Sequence, residues 1–230
     1  IYPPKTTLPL AVIFTTIITM YWQSVNTPIT LFLHVTLKRA KKEDIMIKKW
    51  ELTKSQVRLE CGIFKIEEKV FRSPRTGREH SFISARGTDW INVIALTDQN
   101  EIVLVRQFRQ SSEVITLEIP GGMVDLGEEP AAAAARELME ETGYGGQELI
   151  PLGAVLPNPA ILDLSCHTYL VENVKKVGEP KLDGTEDIEV LLLPLHEIPQ
   201  MMKNGAITHS LVITAFSLLE LHRDGFATLR

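Results

Sequence analysis

Residues 122–144 read Gly122-Met-Val-Asp-Leu-Gly-Glu128-Glu129-Pro130, then five alanines, then Arg136-Glu137-Leu138-Met139-Glu140-Glu141-Thr142-Gly143-Tyr144. Pro130 suits the first turn of a helix, where its missing N–H costs nothing, and Glu128 and Glu129 sit at the positive end of the helix dipole. The alanines favour helix strongly, and Gly143 is a natural left-handed stop just past the last turn. At about 100° per residue, Glu137, Glu140 and Glu141 share one sector of roughly 100°, with Ala131, Ala135, Leu138 and Met139 opposite. One side of this helix is expected to pack and the other to present three carboxylates.

Three clustered carboxylates repel one another, and like charges at i and i+4 destabilise a helix. A hard divalent cation removes the objection: oxygen ligands suit Mg²⁺ or Mn²⁺, and Mg²⁺ usually completes its shell with waters and substrate phosphates. Arg136 can pin a neighbouring carboxylate by a charge-assisted hydrogen bond.

At every fixed position this stretch resembles the Nudix box: Gly, five free residues, Glu, seven free residues, Arg-Glu-aliphatic-x-Glu-Glu-x-Gly, then an aliphatic. The one departure is Tyr144 at the final aliphatic, a packing position. The resemblance implies a Mg²⁺-dependent pyrophosphohydrolase, with Mn²⁺ able to substitute. It assigns Glu137, Glu140, Glu141 and the Gly121 carbonyl to the metal.

The rest of the chain narrows the alternatives. With 230 residues, 44% hydrophobic and 23% charged, it has room for one substantial domain and a small second one. Cys61 and Cys166 belong to no Cys-x-x-Cys or Cys/His spacing, and the six histidines form no zinc motif. Both thiols are read as reduced and buried. Residues 1–45 carry net +3 against −5 for the whole chain, which leaves −8 for the remainder. An acidic body argues against a nucleic-acid surface, which needs a basic stripe.

Residues 6–37 carry no charge and are followed by Lys38, Arg39, Lys41 and Lys42. The apolar run is short for a span, rich in threonine, and broken by Gln23, Ser24, Asn26 and Pro28. It also lacks a secretory cleavage site. Residues 1–45 are therefore expected to lie outside the native fold, with Met46 as the start and a membrane anchor as the alternative. A cytoplasmic body is expected.

From Trp50 the pattern becomes β. Ile63 to Ser73 and Arg78 to Ala85 bracket Pro74-Arg75-Thr76-Gly77 as a hairpin. Ile91 to Leu96, Ile102 to Phe108, Thr116 to Ile119, Leu152 to Leu156, His167 to Glu172 and Glu189 to Leu195 read as further strands. Helices are expected near Glu197 to Lys203 and Thr208 to Arg223. This order resembles the α/β class of the Nudix hydrolases, an α/β/α sandwich with a mixed sheet, preceded by a small N-terminal β subdomain. The expected division is 46–90 for that dimerising subdomain and 91–230 for the hydrolase domain.

Val105-Arg106-Gln107-Phe108-Arg109 followed by Leu117-Glu118-Ile119-Pro120-Gly121-Gly122 resembles the ADP-ribose and nucleoside-diphosphate-sugar pyrophosphatases. The resemblance implies Arg109 on the diphosphate, a task suited to a planar fork of donors, with Arg106 and Glu118 as further substrate-binding residues. Pro159, fifteen positions after Tyr144, resembles the marker proline of ADP-ribose pyrophosphatases, although its loop lacks their Gly-rich, Glu-containing sequence. Asp183-Gly184-Thr185-Glu186-Asp187-Ile188 resembles the acidic loop that supplies a water-activating glutamate. Glu186 is the implied base, with Glu140 or Glu141 in its absence. The resemblance also implies a homodimer; Trp50, Phe64 and Trp90 are candidate stacking surfaces, core packing being the commoner use. The alternatives are a Nudix hydrolase of dinucleoside polyphosphates, NADH or nucleoside triphosphates, and a non-catalytic Nudix ligand sensor.

Overall fold

Two hairpins open the fold, and their turns are set by glycine. Strand β1 (Glu51–Cys61) meets β2 (Phe64–Arg72) across the two-residue turn Gly62-Ile63, where Gly62 takes φ +52° at no steric cost. Strand β2 meets β3 (Glu79–Arg86) across the expected Pro74–Gly77 turn. There Ser73 is buried, its Oγ accepts from the Arg75 and Thr76 amides, and its carbonyl accepts from Gly77 at 2.8 Å. The computed structural model describes residues 47–182, 184 and 187–225, so the readings on 1–45, Met46, Asp183, Thr185 and Glu186 lie outside the described residues. Among the described residues, no helix is long and apolar enough to cross a membrane.

Strands β4 (Trp90–Ala95), β5 (Glu101–Arg109) and β6 (Val114–Glu118) follow, then the short β7 (Gly121–Met123) and helix α1 (Pro130–Thr142). After α1 come β8 (Tyr144–Gly145), β9 (Ile150–Val155), β10 (Leu162–Asp163), β11 (Cys166–Val171), β12 (Lys175–Lys176) and β13 (Ile188–Pro194). A 3₁₀ turn at Leu195–Glu197 leads into α2 (Ile198–Lys203), and α3 (Ser210–Arg223) closes the described chain. One sheet runs β7-β4-β11-β9, with β4 and β11 parallel; a second runs β13-β5-β6, all antiparallel. Strand β10 pairs parallel with β3 and joins the N-terminal sheet β1-β2-β3-β10 to the body. This is the mixed α/β architecture expected of the class. From Lys48 on, the described residues cluster as one unit.

Apolar side chains fill both sides of the central strands. Ile94, Leu104, Ile119 and Leu170 pack with Val212, Phe216 and Leu219 of α3. Ile91, Val93, Ala95 and Val103 pack with Ala133, Ala134 and Leu138 of α1. Two sequence readings need correction. Helix α1 is rotated from its expected orientation: Ala131 and Ala135 are exposed, while Ala133, Ala134, Leu138 and Glu141 are buried. Cys166 is buried, and desolvation followed by the nearby Asp89 charge pushes its thiol up to about 12, but Cys61 is exposed.

Gly143 ends α1 as expected, at φ +71° with its N–H donating to the Met139 carbonyl. A Cβ there would lie 2.2 Å from the Gly178 carbonyl oxygen, because the following strap returns to this point. The Val177 and Gly178 amides donate to the Gly143 carbonyl, and the Lys181 amide donates to that of Glu140 at 2.7 Å. Left-handed strain and the backbone clash together predict that Gly143→Ala costs about 3 kcal/mol, read as a lowered midpoint in urea unfolding; an unchanged midpoint would refute this account of the helix end.

Candidate active site

The site begins with two glycines on an edge strand. β7 pairs with β4 in the register Asn92↔Gly121, Ile91↔Gly122 and Trp90↔Met123, which brings Gly121 and Gly122 under α1. A Cβ on Gly121 would lie 2.5 Å from the Ile91 carbonyl oxygen. A Cβ on Gly122 would lie 2.4 Å from the Glu137 carboxylate carbon. These glycines let the helix carboxylates approach the sheet's backbone.

Arg136 ties that approach together. Its Nε and Nη2 donate to the two Glu128 oxygens at 3.0 and 2.9 Å, and Nη2 also donates to the Met123 carbonyl at 3.0 Å. Nη1 donates to Glu137 at 2.8 Å and to Glu140 at 3.2 Å. The Glu128 bonds, more than any other cause, raise the Arg136 pKa above its ordinary value despite partial burial. Glu128 itself is lowered by Arg136 and by the Asp125 amide. Glu141 behaves differently from its neighbours: it is 3% exposed, and its Oε2 accepts the Gly121 N–H at 2.9 Å.

A cavity of about 870 Å³ opens in front of these groups and reaches Arg109 and Glu118 from the β5-β6 hairpin. Arg109 Nε and Nη2 grip Glu118 in a two-bond fork at 2.7 Å each, and Thr116 Oγ1 donates to Glu118 at 2.6 Å. Burial alone would raise the Glu118 pKa; the Arg109 fork and the Thr116 hydroxyl outweigh it, and the net direction is down. Arg109 Nη1 takes no part in the fork.

The cavity is thus lined by Arg109, Glu118, Gly121, Glu137, Glu140 and Glu141 together. Arg106 stands apart: alternation along β5 turns it away from Gln107 and Arg109, and it pairs with Glu189 at 2.6 Å. Trp90 lines the cavity and meets Phe64 edge-on at 6.5 Å, whereas Trp50 packs on His80 and Phe82 of the N-terminal sheet. Gln107, part of the stretch that carried the resemblance, also borders the cavity, as do His209, Lys181 and Asp125, which the sequence reading did not single out. Among the described residues no three His, Cys, Asp or Glu side chains converge as a ready metal cluster. The donors nonetheless fit a hard cation, because they are all oxygens and a cationic nitrogen of Arg136 already bridges Glu137 and Glu140.

Residues 89–216 match the NUDIX domain family, which covers over half of the chain. The chain belongs to the Nudix family. It is a Nudix pyrophosphatase, a hydrolase of phosphoric anhydrides. Among its relatives is the ADP-ribose pyrophosphatase of Bacillus subtilis (strain 168), 33% identical over 57% of this chain and 71% of that protein. The ADP-sugar pyrophosphatase of Mus musculus is 36% identical over 57% of this chain and 61% of its own. The methanol dehydrogenase activator of Bacillus methanolicus is 36% identical over 57% and 71%. A crystal structure of an ADP compounds hydrolase superposes with a TM-score of 0.68 at 19% identity, over 79% of this chain and 98% of that one, which shows a shared fold.

Gly121 and Gly122 of β7 make contrasting predictions. Gly122→Ala meets only a side-chain end, so stability should stay within about 1 kcal/mol while displacement of Glu137 cuts turnover at least ~10-fold. Gly121→Ala meets backbone and should cost about 2 kcal/mol. Thermal melts with initial rates check both; a fully active Gly122→Ala enzyme would contradict the placing of Glu137.

Proposed function

We propose that the chain hydrolyses the pyrophosphate bond of ADP-ribose or of nucleoside diphosphate sugars, releasing a nucleoside monophosphate and a sugar phosphate. The observation that carries this reading is the single cavity joining the Arg109 fork to the carboxylates of α1. The names of the Bacillus subtilis and mouse relatives point to the same substrates. So does the charge balance: the guanidinium groups of Arg109 and Arg136 are each already matched by carboxylates, which suits a flanked diphosphate better than a triphosphate.

In this reading Glu137, Glu140, Glu141 and the Gly121 carbonyl would hold Mg²⁺, for which Mn²⁺ could substitute. When bound, the ion neutralises the diphosphate and lowers the pKa of an attacking water. Arg109 offers Nη1 to the diphosphate, while Glu118 fixes the plane of its guanidinium. Arg136 keeps Glu137 and Glu140 from swinging apart. The water oxygen bonds to one phosphorus, the bond from that phosphorus to the bridging oxygen breaks, and the water's proton passes to a glutamate. By resemblance that glutamate is Glu186; Glu140 and Glu141 are the described alternatives.

The same reading makes the protein a homodimer in a cytoplasmic setting. Supporting the dimer, β1 to β3 expose Leu52, Val57, Leu59, Phe82 and Ile83, each more than 40% accessible, more than a strand sheet facing water commonly leaves uncovered.

Phosphatase-coupled phosphate release over ADP-ribose, GDP-mannose, UDP-glucose, NADH and diadenosine polyphosphates tests the substrate class. ADP-ribose or a nucleoside diphosphate sugar should give the highest kcat/KM, and preference for NADH or a dinucleoside polyphosphate would overturn the proposal. Glu141→Gln should lower kcat at least ~10²-fold with an unchanged circular dichroism spectrum. Sedimentation of the wild type at micromolar concentration should show the dimer; a monomer would remove that part.

A further inference from the structure

The Arg109–Glu118 fork does not join cross-strand neighbours. In the β5-β6 ladder Arg109 stands opposite Val114 and Glu118 opposite Val105, with Gln107 and Thr116 as the pair between them. The fork therefore spans an offset of four residues, about 13 Å along the strands, where a diagonal cross-strand pair is ordinarily offset by two. Alternation puts Arg109, Gln107, Thr116 and Glu118 on one face, so the Arg109 side chain lies back along the hairpin, past the Gln107–Thr116 pair, to reach its partner. That reach carries the guanidinium away from the hairpin tip and into range of α1. The Arg109 pKa is raised by its bonds to Glu118 and, more weakly, by the charges of Glu118 and Glu141, which together outweigh desolvation.

A fork stretched this far depends on the direction of the Glu118 carboxylate, and Thr116 sets that direction. Thr116 Oγ1 donates at 2.6 Å to Glu118 Oε1, the oxygen that also accepts Arg109 Nε at 2.7 Å, while Oε2 accepts Nη2. The Gln107 carbonyl lies 3.4 Å from the same hydroxyl, so its single proton goes to the nearer carboxylate. Glu118 is buried, and a buried acceptor that loses a donor is costly. With Nε and Nη2 committed, the plane of the guanidinium is fixed and Nη1 keeps its N–H groups for a ligand. Thr116 stands outside the cavity lining. We propose that Thr116 is a positioning residue: through Glu118 it holds the Arg109 guanidinium in the orientation that meets the diphosphate. The assignment rests on the role given to Arg109 in the function proposed above.

Thr116→Val removes the hydroxyl at nearly constant shape and keeps a β-branched residue in the strand, and Thr116→Ala is a second deletion that places no methyl in the hydroxyl's position. On ADP-ribose each should raise KM about fivefold with kcat within about twofold, and Thr116→Ser should restore KM. A double-mutant cycle tests whether the effect runs through the fork. Arg109→Lys cannot form the fork and should raise KM by itself; adding Thr116→Val should then change KM less than about twofold. A wild-type KM for both deletions, a serine variant as impaired as they are, a fivefold further penalty in the double variant, or a lowered Tm with unchanged KM each overturns the assignment and leaves the hydrolase reading standing. A wild-type KM for Arg109→Lys removes the role of Arg109 and the assignment with it. Failure of the wild type to turn over any nucleoside diphosphate sugar overturns the substrate reading as well.

Discussion

One guanidinium holds the site together. Arg136 gathers Glu128 from the turn before α1, Glu137 and Glu140 from the helix, and the Met123 carbonyl from the edge strand. Carboxylates this close repel, and the charge-assisted bonds of Arg136 offset that repulsion and fix where the oxygens point. The spacing follows from helical geometry: Arg136 reaches Glu140 one turn on, and Glu128 can fold back because Pro130 starts the helix two residues later. Glu128, Glu137 and Glu140 are thus arranged around this cation, while Glu141 is placed by the Gly121 amide.

Close backbone approach is the second constraint. Gly121 and Gly122 can pair as an edge strand and still lie under the helix because neither carries a Cβ. That arrangement turns Glu141 inward to accept the Gly121 amide, so its position depends on both the helix and the strand. To the same cavity the β5-β6 hairpin supplies the Arg109–Glu118 fork. The fold thus gathers the Arg109–Glu118 fork and the carboxylates of α1 around one space.

Much of this was legible in residues 122–144, because Pro130, the alanines and Gly143 are strong local signals and the glutamates follow at helical offsets. The central strands were legible as well, since buried runs such as Ile91 to Leu96 leave apolar stretches between turn residues. Strand β1 left little signal: almost all of its residues are exposed, so no apolar face alternates along it. The inward turn of Glu141 was hidden for a related reason, because helical angles cannot show that a strand amide waits on the packed side. His209 was invisible too, since its place in the cavity depends on where α3 docks against Asn92, far away in sequence.

The claim that these carboxylates exist to hold a divalent cation against a phosphoanhydride is open to direct measurement. Isothermal titration calorimetry of the purified protein with MgCl₂ and MnCl₂ at neutral pH should record saturable uptake that disappears when Glu137 and Glu140 are both replaced by glutamine. Folded wild-type protein that takes up neither ion would contradict the claim.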